Sequence, residues 1–524
     1  MKRMIKTYKT YLALLLALSI NLMPGCTLDE DVYSEYVAET YYQGEAQVLS
    51  SLSGIYRNFA TITGMGTEYR IMEMSADQVL VTGKIQGWWS GDAFEQITEH
   101  KWDADHSYLS SAWNSFFGTV GRTNALLASL ENSGIEGLEG PKAELRALRA
   151  YAYFFLMDLF GNVPVFTGAK VDANDLPQQS TRAEVFDFIV AELEAAAPDL
   201  PSQANVGNEY YGRITREAVY GLLATVYINA EVYTGTAYHD EVISYCDQVI
   251  ASGAFELLDN YFDNFVYNNE GNAEFIFGGV YTPTIAGGVG HPLVQKVLPG
   301  ISGGLFGLPY TPQNGFQTRE SVMNLFEDQD VRMKMFFGHG PLIDPRNGQV
   351  VMVERVVPDG NSALYVDGKS TQGPVPYEII PATGIRSQPM NAGIKWIKWG
   401  IDPNTNGGNA GNDIAFLRYA EIFLLKAEAY ARKGQFDLAL PLVNLIRERS
   451  NASTLSAVTL EDILDERGRE LTFEMSRRRD LIRFGKFTSA WEFKAVSESF
   501  RNLYPIPQTA LDANPNLTQN MGYN

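Results

Sequence analysis

The feature that most constrains the fold is a repeated helical spacing of apolar residues within residues 420–449. Phe423, Ala427 and Tyr430 follow one another at intervals of four and three, Gly434 interrupts the pattern, and the same spacing then resumes. Such spacing places apolar side chains on one face of a helix, and an intervening glycine indicates a turn. The segment therefore predicts two antiparallel helices that pack against each other.

This helix pair resembles a tetratricopeptide repeat, in which small alanines let two helices approach closely. A weaker copy covers residues 215–250, and further helix pairs are predicted at 109–130 with 143–160 and at 182–197. Repeats of this kind stack to bury their apolar faces and serve as scaffolds for binding. Periodicity alone equally fits a generic helical bundle.

The helical patterns fall into two regions, about residues 40–255 and 413–487, whereas residues 256–412 are rich in Gly, Pro and Asn. Alternating runs at 349–357 and 395–399 predict short strands in this middle region. Without a linker composition to divide the chain, we expect a single domain over residues 26–524. Its expected class is mostly α, a tetratricopeptide-like helical scaffold with long loop and short-strand insertions.

Residues 1–25 have the form of a secretory signal peptide, because four cations precede an apolar run too short to span a bilayer. Cleavage would leave Cys26 at the mature N-terminus, where it resembles the acylated cysteine of a bacterial lipoprotein, although Met23 and Pro24 depart from the usual pattern. We expect a lipid anchor at Cys26. The alternative is an ordinary secreted protein, and Cys246, the one other cysteine, leaves no disulfide framework.

The charge of the chain argues against nucleic-acid binding. Removing Lys2, Arg3, Lys6 and Lys9 with the signal peptide takes the net charge from −21 to −25, which disfavours contact with phosphates. The acidic run at 29–31 resembles the surface-export signal of Bacteroidetes lipoproteins and suggests an outward-facing position, although a solvated linker is the simpler alternative.

Trp88 and Trp89 form the most suggestive binding feature. They lie between Gly87 and Ser90, and adjacent tryptophans beside glycine do not easily both point into one core. Exposed large aromatics mark binding surfaces, and a flat ring can contact the C–H face of a sugar while Asp92 binds its hydroxyls. We therefore expect ligand binding at Trp88, Trp89 and Asp92, against the alternative that one indole packs internally; Trp102 and Trp113 are expected in the core.

Motifs that could support catalysis are weak. Residues 300–304 match the G-x-S-x-G nucleophile motif, but proline and glycine replace the strand and helix that it requires, so a glycine-rich loop is expected there. His339 is the only histidine that follows it, and no acid partner is recognisable. The chain is therefore interpreted as a binding protein without a cofactor, and a surface glycoside hydrolase remains the alternative.

The loop with Asp402, Asn404, Asn406 and Asp413 fits a D-x-N-x-N-G-x5-D calcium pattern, with Asp in place of the usual bidentate Glu. A strand is predicted before it, which argues against an EF-hand. Few carboxylates are available to offset the desolvation of calcium, so a polar surface loop is favoured over a metal site.

Four segments carry a family likeness: residues 144–165, 416–430 (expected as one late helix), 463–486 and 503–523. Together they resemble the SusD/RagB family of outer-membrane nutrient-binding lipoproteins. The resemblance implies a tetratricopeptide-like fold, a place at the outer-membrane surface, an oligosaccharide ligand and a SusC-like TonB-dependent transporter as partner. It leaves open a peptide ligand or a role only as a transporter lid.

The charged residues of the last helical segment are interpreted as structural. Glu474 precedes Arg477 and Arg478 by three and four residues, the spacing at which neighbours on one helix form ion pairs. Together with Glu470 and Asp480, they are expected to fix this helix against the scaffold and to have no catalytic role.

Overall fold

The computed structural model describes residues 44–63, 66–84, 92–172, 174–282, 290–344, 348–356, 364–365, 374–405 and 407–523. Its α-helices are α1 (Glu45–Thr63), α2 (Thr67–Met74), α3 (Asp92–Thr98), α4 (Ser107–Glu131), α5 (Glu139–Phe160), α6 (Arg182–Ala196), α7 (Arg216–Ile228), α8 (Ala230–Thr234), α9 (His239–Ala251), α10 (Leu293–Val297), α11 (Ser302–Leu305), α12 (Glu320–Met323), α13 (Tyr419–Arg432), α14 (Phe436–Arg449), α15 (Leu460–Glu470), α16 (Arg477–Arg483) and α17 (Gln508–Ala513). Short 3-10 helices lie at Ala197–Asp199, Gln203–Asn205, Asn208–Tyr210, Tyr261–Asn264, Val331–Met335 and Ser499–Asn502.

The strands are short and pair antiparallel. They are β1 (Val79–Val81), β2 (Val163–Pro164), β3 (Gln179–Ser180), β4 (Phe275–Gly279), β5 (Phe316–Thr318), β6 (Phe336–Phe337), β7 (Gly340–Pro341), β8 (Met352–Val356), β9 (Leu364–Tyr365), β10 (Pro374–Pro376), β11 (Glu378–Ile379), β12 (Lys395–Trp396) and β13 (Ile414–Arg418). The pairs are β1 with β5, β2 with β3, β4 with β13, β6 with β12, β7 with β11, and β8 with both β9 and β10. The predicted strands at 349–357 and 395–399 are confirmed, whereas β1 lies in a region expected to be helical.

The predicted helix pairs are confirmed. Helices α13 and α14 pack against each other across a turn in which Gly434 has φ of +75°, a left-handed conformation that glycine adopts without a steric cost. Helices α7 and α9 form the second pair, and α4 packs on α5. Because α9 also packs on α13, successive pairs stack into one scaffold.

One large hydrophobic cluster joins buried residues from Val48 to Ile506. Trp102 and Trp113 belong to it, as expected from their helical surroundings. Strand β4, from the middle region, packs on α1 and pairs with β13, so the loop-rich region contributes directly to the packing of the scaffold. None of the described helices is long and apolar enough to cross a membrane.

The expectation of one late helix over residues 416–430 is wrong at its start. Residues 414–418 form β13, which pairs with β4, and α13 begins only at Tyr419. The backbone N–H of Tyr419 donates to Glu274 O over 2.8 Å. Pairing with a strand distant in sequence thus determines the local structure, although the residues also fit a helical pattern.

The last charged segment is not one helix either. Helix α15 ends at Glu470, and the chain turns before α16, with positive φ at Phe473 (67°) and Met475 (61°). Glu474 lies in this turn and forms ion pairs with Arg418 (2.7 Å) and Lys398 (2.5 Å), so its predicted i,i+3 and i,i+4 partners are wrong. The structural role expected of the charges is retained with different partners: Arg477 pairs with Asp77 and Arg478 with Asp158.

Candidate functional site

Trp88 and Trp89 lie outside the described residues, as does Cys26, but the residues that flank the tryptophans are described. On one side, the Gly83 N–H donates to Ile385 O and the Gln388 N–H donates to Gly83 O, each over 2.7 Å. Lys84 forms a parallel bridge with Gln388. We call residues 85–91, which contain Trp88 and Trp89, the tryptophan segment, and residues 385–388 the 385–388 loop. The chain that leads into the tryptophan segment is therefore fixed to the 385–388 loop.

On the other side, Asp92 begins α3 and contacts the same loop. The Nη2 atom of Arg386 lies 2.8 Å from Asp92 Oδ1 and also forms an ion pair with Glu95. The Asp92 and Arg386 side chains remain 68% and 59% exposed. Both flanks of the tryptophan segment thus meet one loop that presents polar, solvent-accessible groups.

Beneath this surface lie two buried lysines, Lys84 and Lys395. Lys84 Nζ donates to Gln317 Oε1 over 3.1 Å and to the carbonyl of Ala392, and Lys395 Nζ donates to the Phe316 carbonyl over 3.2 Å. Burial lowers the pKa of Lys84 to about 7 and moves the pKa of Lys395 in the same direction. Both amines thus bond inside the protein, where a ligand in solution does not reach them.

A cleft of 470 Å³ lies between α1 and residues 209–213, and residues at and just beyond the end of β4 form its third wall. We call it the α1 cleft. Its lining residues are Leu49, Leu52, Ser53, Tyr56, Arg57, Phe59, Ala60, Glu209, Tyr211, Gly212, Arg213, Phe277, Gly278, Val280 and Thr282. The volume falls in the range of ligand sites, about 300–1,000 Å³, and combines aromatic rings with charged groups at the rim.

An ion pair between the half-buried Arg213 and the buried Glu144 supports one wall of the α1 cleft. The Glu144 carboxylate accepts from Tyr56 Oη over 2.5 Å and from Arg213 Nε over 3.1 Å. The Arg213 guanidinium lies 4.0 Å from the centroid of the Tyr210 ring. Burial, followed by the charge of Glu144, raises the pKa of Tyr56 well above its ordinary value, so its hydroxyl stays protonated as a donor.

The loop that fits a calcium spacing is held by hydrogen bonds within the protein. Asp402 accepts from the N–H groups of Asn404 (2.7 Å) and Gly411 (2.9 Å), while Asp413 accepts from Tyr211 Oη (2.5 Å) and the Tyr281 N–H (2.8 Å). Asn406 lies outside the described residues. Burial raises the pKa of Asp413 to about 6. Across the described ranges, no three His, Cys, Asp or Glu side chains cluster as metal ligands.

The G-x-S-x-G segment forms a helical turn instead of the expected glycine-rich loop. Ser302 begins α11, is buried, and follows α10 and not a strand. His339 lies on an exposed bend. This arrangement lacks the strand that presents a nucleophile in a G-x-S-x-G elbow.

Sequence reasoning missed both the 385–388 loop and the α1 cleft. Arg386 lies in a segment without periodicity, and its partner Asp92 is distant in sequence. The aromatic and basic pair Tyr56 and Arg57 on a helix was the only available signal for the cleft, and core packing explains such a pair equally well.

The architecture is that of SusD-like proteins. The chain superposes on a SusD-like carbohydrate-binding protein from Bacteroides fragilis with a TM-score of 0.73 and 20% identity, covering 92% of this chain and 100% of that chain. It superposes on surface glycan-binding protein A from Bacteroides thetaiotaomicron, solved in complex with laminarihexaose, with a TM-score of 0.70 and 20% identity over 91% and 99% of the two chains.

Sequence comparison extends this likeness to the family. The model of the SusD family matches residues 251–523, and a second model, described as starch-binding and associating with the outer membrane, matches residues 29–228. The starch-binding protein SusD of Bacteroides thetaiotaomicron is 27% identical over 90% of this chain and 86% of its own length. The chain belongs to the SusD family.

Proposed function

We propose that this protein captures oligosaccharides at the cell surface and delivers them to a SusC-like TonB-dependent transporter. The observation that carries the proposal is the family match, which covers both the helical first half and the remainder of the chain. Relatives along nearly the whole length are named for starch or glycan binding. A binding role without turnover agrees with those names, so release of products from a bound glycan would contradict it.

We place the ligand at Trp88, Trp89 and Asp92. The flanking geometry supports this assignment, because Asp92 and Arg386 present exposed charged groups beside the tryptophan segment. Carbohydrate recognition needs an aromatic surface for the C–H face of the sugar and polar groups for its hydroxyls. The 385–388 loop would supply part of that polar rim.

The test is calorimetry of wild type and of the Trp88→Ala, Trp89→Ala double variant across a panel of starch and laminarin oligosaccharides. Binding should be lost while the melting temperature changes little, because the proposal puts both indoles at the surface, where side chains contribute little to packing. Phe436→Ala with Tyr267→Ala is the matched control, because both aromatics are exposed on other parts of the described surface. Retained affinity in the tryptophan variant would contradict the assignment.

Attachment to the outer membrane is proposed through acylated Cys26. The second family description, which includes association with the outer membrane, supports this location. Cys26→Ala should leave the membrane fraction in cells that lack the transporter, because several acyl chains give firm attachment where one gives marginal binding. A variant that stays in the outer membrane of those cells would disprove the lipid anchor.

A further inference from the structure

We propose that the α1 cleft is a binding site in its own right and that it holds a neutral mono- or disaccharide unit, separately from the ligand at the tryptophan segment. It shares no residue with the 385–388 loop or with Lys84 and Asp92. Its three walls are α1, residues 209–213 and the end of β4 with the residues just after it.

The backbone keeps the cleft open. Gly212 has φ of +77°, and a Cβ at this position would lie 2.4 Å from Val280 Cγ2. A side chain there would force residues 209–213 away from Val280, which directly follows β4. Glycine lets this wall lie directly on the end of the strand, so the space between it and α1 is a feature of the packing.

Two tyrosine rings line the cleft and are held in place by their hydroxyls. Tyr56 Oη donates to Glu144 and Tyr211 Oη donates to Asp413, each over 2.5 Å. Because both hydroxyls are occupied inside the protein, what these residues offer a ligand is their apolar ring surface. Aromatic surface of this kind suits the C–H face of a pyranose.

Arg213 supplies a fixed hydrogen-bond donor. Its Nε and Nη2 atoms bind Glu144, and its guanidinium stacks near Tyr210. No bond from Nη1 is found among the described residues, and the side chain is 21% exposed at the cleft. A guanidinium held on two sides keeps its remaining N–H groups oriented, which lowers the entropy cost of binding a hydroxyl.

The charges of the cleft favour a neutral ligand. Glu144 neutralises Arg213, while exposed Arg57 and Glu209 carry opposite charges at the rim. A sugar hydroxyl both donates and accepts, so the hydroxyls of one sugar can bind the Arg213 guanidinium and the Glu209 carboxylate alike. An anionic ligand would meet Glu209, and a cationic ligand would meet Arg57 and Arg213.

The test uses saturation-transfer NMR on the mature full-length protein in the Trp88→Ala, Trp89→Ala background, with maltose, cellobiose and laminaribiose as probes. Ser53→Trp is added to fill the cleft from the exposed side of α1. Ser50→Trp is the matched control, since Ser50 is exposed on the same helix and does not line the cleft. We expect transfer to at least one disaccharide in the background protein, loss of it with Ser53→Trp, and no loss with Ser50→Trp.

No transfer to any of the three probes in the Trp88→Ala, Trp89→Ala background would overturn the proposal, and so would transfer that survives Ser53→Trp. Thermal unfolding of the Ser53→Trp and Ser50→Trp variants shows whether a lost signal reflects lost folding. If Ser53→Trp does not fold, the Arg57→Ala, Glu209→Gln variant replaces it, and transfer to the disaccharide should again be lost. The outcome is distinct from that of the proposed function. Wild-type binding of a longer glycan that depends on Trp88 would stand even if the cleft were empty.

Discussion

Two regions of this protein bury charge in opposite ways. Around Arg418, which is fully buried, the guanidinium meets the carboxylates of Glu274 (2.5 Å), Glu470 (3.0 Å) and Glu474 (2.7 Å). We call this set, with Arg332 and Arg449, the arginine network. Beneath the tryptophan segment, Lys84 and Lys395 are similarly buried, yet neither forms an ion pair with a carboxylate in the part of the chain that the structure describes.

The pKa directions follow this difference. Burial alone would raise the pKa of Glu470, but the attraction of Arg449, Arg418 and Arg332 outweighs it, so its pKa lies below the ordinary value. For Lys84, burial acts without an opposing charge and lowers the pKa to about 7. Matched charges therefore tie β13, α14 and α15 to Glu274, the residue before β4, at all ordinary pH values. By contrast, Lys84 beside the tryptophan segment has a pKa near neutrality.

The largest expected effect comes from breaking the arginine network. Arg418→Met leaves three buried carboxylates without their shared partner, and removing one member of a buried pair costs about 3–5 kcal/mol. Guanidinium denaturation followed by tryptophan fluorescence measures the loss in the free energy of unfolding. Arg418→Lys, which keeps the charge but not the bidentate geometry, should be intermediate. A loss below about 1 kcal/mol for Arg418→Met would show that the network is not a unit of stability.

A smaller, pH-dependent effect is expected for Lys84→Met. Because the folded-state pKa of Lys84 is about 7 and the ordinary value is 10.5, unfolding takes up a proton between these values, and wild-type stability rises with pH across that window. The variant lacks this titration. Its melting temperature relative to wild type should therefore be higher at pH 6 than at pH 9.5. Ser50→Ala, at an exposed position of α1, should show no such difference. An equal difference at both pH values would contradict the uncompensated burial of Lys84.

The same contrast explains what can be predicted from sequence. The helix pairs α13 with α14 and α7 with α9 are predictable because their apolar spacing and Gly434 act locally. The ion pairs of Glu474 are not, since its partners Arg418 and Lys398 come from other segments and its backbone leaves the helix. Local spacing identifies which charges are structural but not which charges they meet.

The candidate sites divide in the same way. A run such as Trp88–Trp89 stands out in sequence because its composition conflicts with simple burial. The α1 cleft does not stand out, because nothing in the sequence distinguishes Tyr56, Tyr211 and Phe277 from core aromatics. Only the fold brings their three distant segments together. Likewise Asp402 and Asp413 fit a calcium spacing, yet the fold supplies each carboxylate with its own hydrogen-bond donors.

The smallest expected effect tests whether pairing alone, without burial, contributes to stability. Lys426 of α13 and Asp247 of α9 form an ion pair of 2.5 Å that joins the two repeat pairs, but the Asp247 side chain is 52% exposed. Solvent screens such pairs, which contribute about 0–1 kcal/mol. Asp247→Asn should therefore change the free energy of unfolding by less than about 0.5 kcal/mol, and the difference should shrink further in about 1 M salt, where screening acts over a few ångströms. Arg418→Met, measured in the same salt series, should keep most of its effect because its partners are shielded from solvent. If Asp247→Asn instead destabilised the protein as much as Arg418→Met, the location of a charge pair in this scaffold would matter less than the helices it connects.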